Sequence, residues 1–358
     1  MASALRTLAR RLLRPGRRLT DTEQWLVNLP GTPEYRARVA ALQARAELRS
    51  ITEADEMATI ALWVEAVRPE LCLEIGTFFA GTSRVICEAL AAGGGPGKLL
   101  TIDPYGGHRV PDILTGWPAG LRDRVEFRPV NSMTLFDELE TARTPKGGRS
   151  PLGLAFVDGN HNFEYALFDV IRAADFLAPG GAIVIDNMDQ EGPRQAAARF
   201  LQWNPAWRLF AAGRLFDSSL RYADLAPVTW GLLLAPRGIQ VSQMAFKFFE
   251  RSVPHRVIRG VKFNAVEASG PGTLAVKLNY HAYPFDYHLT GTDMVQQVRT
   301  GEVRVRPGEA PVLWFAEPAE LVLPHREYNV NYELEALFTP DAGAGYVLLD
   351  KDQPYAFE

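Results

Sequence analysis

The sequence predicts an α/β protein: a doubly wound, largely parallel sheet with helices before it and a β-rich region after it. Three observations carry this expectation. From residue 69, short apolar runs each meet a glycine or an acid, and helical segments follow. The interval between runs requires parallel strands joined by crossover helices. After about residue 253 the helical periodicity fades, and short β-like runs alternate with Gly and Pro turns.

Length and composition bound the reading. A chain of 358 residues favours two domains, and 47% hydrophobic with 22% charged residues is ordinary globular usage rather than disorder. Lys and Arg number 38 against 42 Asp and Glu, so 38 − 42 leaves a net charge of −4 and no basic field toward nucleic acid. Two cysteines exclude a disulfide scaffold and a Cys-based zinc module. Cys72 and Cys87 lie in apolar segments and read as buried thiols of a reducing, cytoplasmic setting. No apolar run approaches the roughly 18 residues of a transmembrane helix.

The elements follow in order. In residues 1–20, Arg6, Arg10, Arg11, Arg14, Arg17 and Arg18 interleave with leucines, and no acid precedes Asp21. This arm reads either as a targeting segment or peripheral membrane foot, or as a solvated arm or helix on a partner subunit. Residues 33–48 and 53–67 are expected as helices. Thr32 would cap the first ahead of Pro33, and Thr52 with Asp55 approximates a capping box for the second. Pro69 closes this region, giving a first segment of 1–68. The core segment, 69–238, holds strands at 71–75, 99–102, 125–130, 154–157 and 182–185, helices at 83–92 and 163–176, and a last antiparallel strand pair at 207–211 and 229–234. Residues 106–117, rich in Gly and Pro, suggest a lid. The third segment, 239–358, has β-like runs at 257–266, 273–280, 303–305, 312–315, 329–338 and 346–349, expected as an antiparallel sheet or sandwich. Its aromatics, Tyr280, Tyr283, Phe285 and Tyr287, read as core, interface or a carbohydrate platform. His281 and His288 lack an evident third metal ligand.

Ligands of parallel sheets bind beyond the carboxyl ends of the strands. Those ends are polar here: Glu74 with Gly76, Asp103, Asn131 with Ser132, Asp158, and Asp186 with Asn187. The stretch from Glu74 to Ser83 (EIGTFFAGTS) has the glycine spacing of a phosphate loop, but Thr82 stands where lysine is needed. Phe78 stands where the dinucleotide fingerprint needs its second glycine. An acid at Glu74 suits a cationic ligand, and Asp103 suits two ribose hydroxyls. A ligand with ribose and positive charge but no phosphate is S-adenosylmethionine (SAM).

Residues 71–236 resemble a class I SAM-dependent methyltransferase, with a Rossmann-like sheet of seven strands. The EIGTFFAGTS stretch resembles the family's first motif, with Ala80 where glycine is frequent. Asp103 matches the ribose acid, Asn131-Ser132 the loop bordering adenine, and residues 177–181 (LAPGG) the turn before the fifth strand. Residues 158–164 (DGNHNFE) resemble the D-G-x-H-x-Y-E stretch of a subgroup with macrolide-sugar O-methyltransferases and cephalosporin-hydroxylase-like proteins, with Phe163 for the tyrosine. The resemblance implies a SAM site of Glu74, Gly76, Thr77, Phe78, Gly81, Thr82, Asp103, Ser132 and Asp158. Read without it, Gly76 and Gly81 allow a tight turn, Asp103 is a strand-end acid and Ser132 a helix cap.

Asp158, Asp186 and Asn187 end neighbouring strands about 4.8 Å apart. Two carboxylates and an amide are hard oxygen donors suited to a divalent cation such as Mg²⁺, and the resemblance to metal-dependent O-methyltransferases implies that role. They also read as helix caps or partners of the SAM amino group. His161, three residues after Asp158, reads as the base that takes a substrate proton, as a metal ligand, or as a loop-orienting group. Glu164 reads as its holder, as a partner of the SAM amino group, or as a first-turn acid. With Asp158, His161 forms the candidate catalytic pair. The function expected is O-methylation of a small molecule or sugar by SAM with a divalent cation. The partners are a small-molecule or glycan acceptor, no nucleic acid, and a second copy of the chain as an option. A metal-independent methyltransferase and a non-catalytic binding or scaffold protein are the competing readings.

Overall fold

A computed structural model describes residues 19–142, 152–225, 228–242, 246–250, 253–284, 294–323, 328–351 and 353–358. The basic arm before residue 19, and Phe285, Tyr287 and His288, lie outside the described residues. Contacts divide the chain into two compact units. The first comprises the described residues up to 235 except 204–206, and the second comprises 204–206 with 236–358.

The first unit opens with three helices. Helix α1 (Asp21–Asn28) begins with a capping box, in which the Thr20 hydroxyl accepts from Glu23 N and the Glu23 carboxylate accepts from Thr20 N. Helix α2 (Pro33–Gln43) starts as expected, with Thr32 Oγ1 accepting from Tyr35 N at 3.2 Å and Pro33 at the first position. It ends before residue 48, and a short 3₁₀ turn at Ala46–Leu48 follows. Helix α3 (Ala54–Val67) has no capping box: Glu53 is its N-cap without a side-chain bond. The Thr52 hydroxyl instead pairs with Thr82 Oγ1 at 2.9 Å, because tertiary packing brings it against the glycine turn. Every residue of α3 from Glu56 to Val64 is buried.

Strands and helices then alternate: β1 (Leu71–Ile75), α4 (Gly81–Ala92), β2 (Lys98–Ile102), α5 (Arg109–Thr115), α6 (Ala119–Arg122), β3 (Val125–Arg128), α7 (Ser132–Ala142), β4 (Leu152–Val157), α8 (Phe163–Phe176), β5 (Leu177–Ile185), α9 (Glu191–Trp203), β6 (Arg208–Ala211), β7 (Arg214–Phe216) and β8 (Gly231–Leu234). The sheet order is β3-β2-β1-β4-β5-β8-β6-β7, parallel from β3 to β5 and antiparallel beyond. It therefore has eight strands, not the seven expected. The extra edge strand, β7, is folded back on β6 by Ala212 and Gly213, both left-handed (φ 46° and 71°), the two-residue turn that matches strand twist. Residues 106–117, expected as a lid, are largely helical. They hold α5, with Val110 and Trp117 buried in the body. The turn expected at residues 179–181 lies inside the extended β5, where Gly180 is left-handed.

Alternation along the central strands explains the double winding. Cys72, Leu99, Leu154, Phe156, Ala182 and Val184 face one layer, packed against Ile60, Trp63 and Ile86 of α3 and α4. Leu73, Ile75, Ile102, Ala155, Val157 and Ile185 face the other, packed against Phe136, Val170 and Leu201 of α7, α8 and α9. Buried on both faces, these strands read as continuous apolar runs.

The second unit is antiparallel β. Strands β9 (Ile239–Val241), β10 (Phe246–Glu250), β11 (Ile258–Phe263), β12 (Ala265–Ala268), β13 (Gly272–Pro284), β14 (Val295–Val305), β15 (Val312–Ala319), β16 (Tyr328–Pro340), β17 (Val347–Leu349) and β18 (Tyr355–Phe357) form three sheets, ordered β10-β16-β13-β14, β15-β11-β18 and β12-β17-β9. They enclose one apolar core containing Phe263, Leu278, Tyr280, Leu334 and Phe338. Strands β9, β10 and β18 had no matching β-like run in the sequence.

Candidate active site at the carboxyl edge of the parallel sheet

Strand register builds this site. Ile75 pairs with Ile102 on one side and Val157 on the other, and Val157 pairs with Ile185. The residues one step further, Gly76, Asp103, Asp158 and Asp186, therefore stand in one row. Backbone bonds continue the ladder there: Gly76 N to Ile102 O, Asp158 N to Ile75 O and Asp186 N to Val157 O, at 2.9, 2.9 and 3.1 Å. Strand order reverses between β1 and β4, the point at which such sheets open a crevice.

The turn after β1 is conformationally demanding. Gly76 has φ 104°, and a Cβ there would lie 2.0 Å from Asp158 O. Phe78 and Ala80 are also left-handed, at φ 46° and 58°. Ala80 occupies the place where glycine is frequent in the resembling family, and its φ shows why. Gly81 permits another close approach, since a Cβ there would sit 2.5 Å from Leu48 O.

Glu74 is buried (1% exposed), and its Oε2 accepts from the Ser83 and Thr101 hydroxyls. Its Oε1 is buried without a donor. Burial pushes the carboxyl up to about 8 against the pull of those hydroxyls. The Thr77 hydroxyl is engaged with Thr101 at 2.7 Å, and that of Thr82 with Thr52 and Ser50, so both side chains face protein partners. Asp103 accepts from Phe78 N (3.1 Å), Tyr105 N (2.8 Å) and the Arg109 guanidinium (3.3 Å). Arg109 also donates to Phe78 O and lies over the rings of Phe78 and Phe79. At the start of α7 the cap is Asn131, whose Oδ1 accepts from Thr134 N at 2.9 Å. Burial pushes the carboxyl of Asp169 up to about 6, and the half-buried Ser132 lowers it.

At the other end of the row, Asp186 accepts from Asn187 N at 2.5 Å. Burial, then the neighbouring Asp158, push its carboxyl up to about 7. Burial also raises Asp158, although His161 opposes this. Asn187 is left-handed (φ 53°), and its Oδ1 is buried without a donor. His161 Nε2 lies 3.4 Å from Asp158 Oδ1, and its Nδ1 lies 3.1 Å from Gln190 Oε1. Asp158 holds the imidazole above its usual range. Gly192 lets α9 approach this loop, since a Cβ there would meet His161 O at 2.0 Å. Glu164 is exposed in the first turn of α8.

Arg109, Gln190 and Glu56 were missed in the sequence. Gln190 lies 29 positions from His161, with no local signal. Glu56, in the first turn of α3, was not singled out in the sequence. Its side chain is fully buried beside Asp186 and near Asp158, its oxygens accept from no amide or hydroxyl, and burial, then the two neighbouring carboxylates, push its carboxyl well up.

The donor chemistry of Asp158, Asp186 and Asn187 fits a hard divalent cation: two carboxylates and an amide oxygen that lacks a donor. Among the described residues, no three His, Cys, Asp or Glu side chains gather around one metal position.

Residues 73–188 match a family model described as a methyltransferase domain. Over that segment the chain carries a methyltransferase domain. An O-methyltransferase from Bacillus cereus, in complex with SAH, shares 17% identity and a TM-score of 0.40, over 60% of this chain and 97% of its own. The O-methyltransferase TomG from Streptomyces achromogenes, involved in tomaymycin synthesis and in complex with SAM, shares 18% identity and a TM-score of 0.39, over 61% of this chain and all of its own (100%). A methyltransferase from Geobacter sulfurreducens shares 19% identity and a TM-score of 0.36, over 60% and 97%. No curated protein matches the chain in sequence. The matched segment of the methyltransferase domain runs from β1 to just past β5 and contains every row residue described above.

Proposed function

We propose that the chain transfers the methyl group of SAM to a hydroxyl oxygen of a small molecule or sugar, with a divalent cation held by Asp158, Asp186 and Asn187. The observation that carries this reading is the single row of Gly76, Asp103, Asp158 and Asp186 at the strand-order reversal. The row supplies a ribose acceptor at one end and hard oxygen donors at the other. The DGNHNFE stretch at residues 158–164 supports the sugar or natural-product acceptor through its resemblance to the macrolide-sugar subgroup.

Each side chain has a definable task. Gly76 lets the tips of β1 and β4 close up, because a Cβ there would meet Asp158 O. Asp103 accepts from ribose hydroxyls once Arg109 yields an acceptor position. A bound divalent cation supplies charge stabilisation to a developing alkoxide. His161 lies between Gln190 Oε1 and Asp158 Oδ1, and in the neutral imidazole one ring nitrogen keeps a lone pair. That nitrogen takes the acceptor's proton, and Asp158 stabilises the imidazolium that forms. Positioning of the two reactants supplies much of the remaining acceleration.

Calorimetry tests the reading. SAM binds the wild type, and Asp103→Ala weakens it by at least about tenfold, the loss of charge-assisted bonds to two hydroxyls. Mn²⁺ binding, followed by paramagnetic relaxation, disappears in Asp186→Ala. Wild-type protein that binds no SAM overturns the proposal. SAM binding and methyl transfer that survive chelation favour the metal-independent alternative.

A further inference from the structure

Glu56 has no task in the mechanism above, yet it is among the most constrained side chains in the first unit. It is 0% exposed, and neither carboxylate oxygen has a hydrogen-bond donor. A buried acid without donors is a poor packing residue. Its helix is apolar from Met57 to Val64 apart from Thr59, so an apolar side chain would suit the position better. The first turn of α3 is also pinned. Trp230 Nε1 donates to Asp55 Oδ2 at 3.3 Å, Thr229 Oγ1 to Glu53 Oε2 at 3.1 Å, and Tyr35 Oη to Asp55 O at 3.1 Å. Thr229 is tied in turn to the loop after β5, its carbonyl accepting from Met188 N at 2.6 Å. These bonds hold Glu56 against Asp186, one residue before Asn187, whose own buried Oδ1 is without a donor.

The geometry points to Glu56 as the acceptor for a hydrogen-bearing cationic group of the bound ligand set, and thus as a positioning residue for the reaction. The buried carboxylates of Glu56 and Asp186 and the partly exposed one of Asp158 neighbour one another at α3 and at the ends of β5 and β4, and a positive charge beside them offsets their mutual repulsion. Glu56 is not placed with the two aspartates around a single metal position. Its partner therefore carries hydrogen: the ammonium of the SAM methionine moiety, or water bound to a divalent cation. The inference rests on the SAM and cation reading of this site and extends it to a residue on the helix ahead of the methyltransferase segment.

Glu56→Gln keeps the shape and removes the capacity to present a carboxylate to a bound cation. Two binding measurements separate the sources: SAM by calorimetry in the presence of chelator, and Mn²⁺ by paramagnetic relaxation without SAM. One of the two weakens by roughly 10- to 100-fold in Glu56→Gln, as for loss of a charge-assisted bond, and Glu56→Asp recovers part of it. Weakened SAM identifies the ammonium; weakened Mn²⁺ identifies the hydrated cation. The melting temperature of the ligand-free variant equals or exceeds that of the wild type. Should Glu56→Gln fail to fold, Glu56→Met carries the same measurements. Both affinities within twofold of wild type overturn the inference while leaving the SAM reading intact. A wild type that binds neither probe overturns both.

Discussion

Gly76→Ala is the sharpest perturbation of the row. Two costs add. The backbone φ of 104° is one that L side chains rarely adopt, and holding alanine there costs about 1–3 kcal/mol. The new Cβ would also lie 2.0 Å from Asp158 O and 2.7 Å from its carbon, so the tips of β1 and β4 must part by an ångström or more. Neither tip is free to move. Gly76 N is bonded to Ile102 O and Asp158 N to Ile75 O, both at 2.9 Å. Forced overpacking of this kind costs a further 1–3 kcal/mol or so. The sum is about 4 kcal/mol, which for a unit of this size lowers Tm by roughly 8–16 °C. Thermal unfolding by circular dichroism reads the stability, and calorimetry with SAM reads the site. Gly120→Ala, in α6 with nothing within 4 Å, is the control and stays within about 1 kcal/mol of wild type. A Gly76→Ala protein with wild-type Tm and wild-type SAM affinity would refute the register argument from which the site is built.

Glu74 and Arg109 give two further tests. The Glu74 carboxyl is raised from about 4.5 to about 8 by burial, so the ligand-free fold binds its proton more tightly than the unfolded chain does. That stability is complete below pH 4.5 and is lost as pH rises through 8, by roughly 5 kcal/mol in total. Urea unfolding between pH 5 and 9 therefore falls off less steeply in Glu74→Gln than in the wild type, and parallel curves would contradict the assignment. Asp103 offers about four acceptor positions. Phe78 N, Tyr105 N and Arg109 occupy three of them, while a ribose diol needs two. Arg109→Ala should tighten SAM binding by about 2- to 5-fold, the worth of a partly exposed ion pair. Weaker binding would mean that Arg109 supports the site instead of competing for it.

How much was legible in the sequence differs by element. The thiols Cys72 and Cys87 read as buried, and they are. The helix over 163–176 and the strand over 71–75 match their expected bounds residue for residue. The Thr52 capping box failed because a hydroxyl at a helix start has two uses, and packing on Thr82 won. Strand β7 was missed because Arg214–Phe216 is too short to show a period. Thr77 and Thr82 stand in the first motif as expected, but their hydroxyls serve the turn.

By itself the sequence determined the alternation of strand, turn and helix, and with it the polar row at the strand ends. Burial on both faces writes itself as short apolar runs, and a chain that must reverse after each strand needs glycine, proline or a polar residue there. Tertiary structure alone decided which distant groups lean on that row. Glu56 reaches Asp186 across 130 positions, Gln190 meets His161, and Arg109 covers Asp103. A first-turn glutamate looks alike on a solvated helix and on one pressed against a sheet edge. Only the packing of α3 fixes whether its carboxylate meets water or other carboxylates.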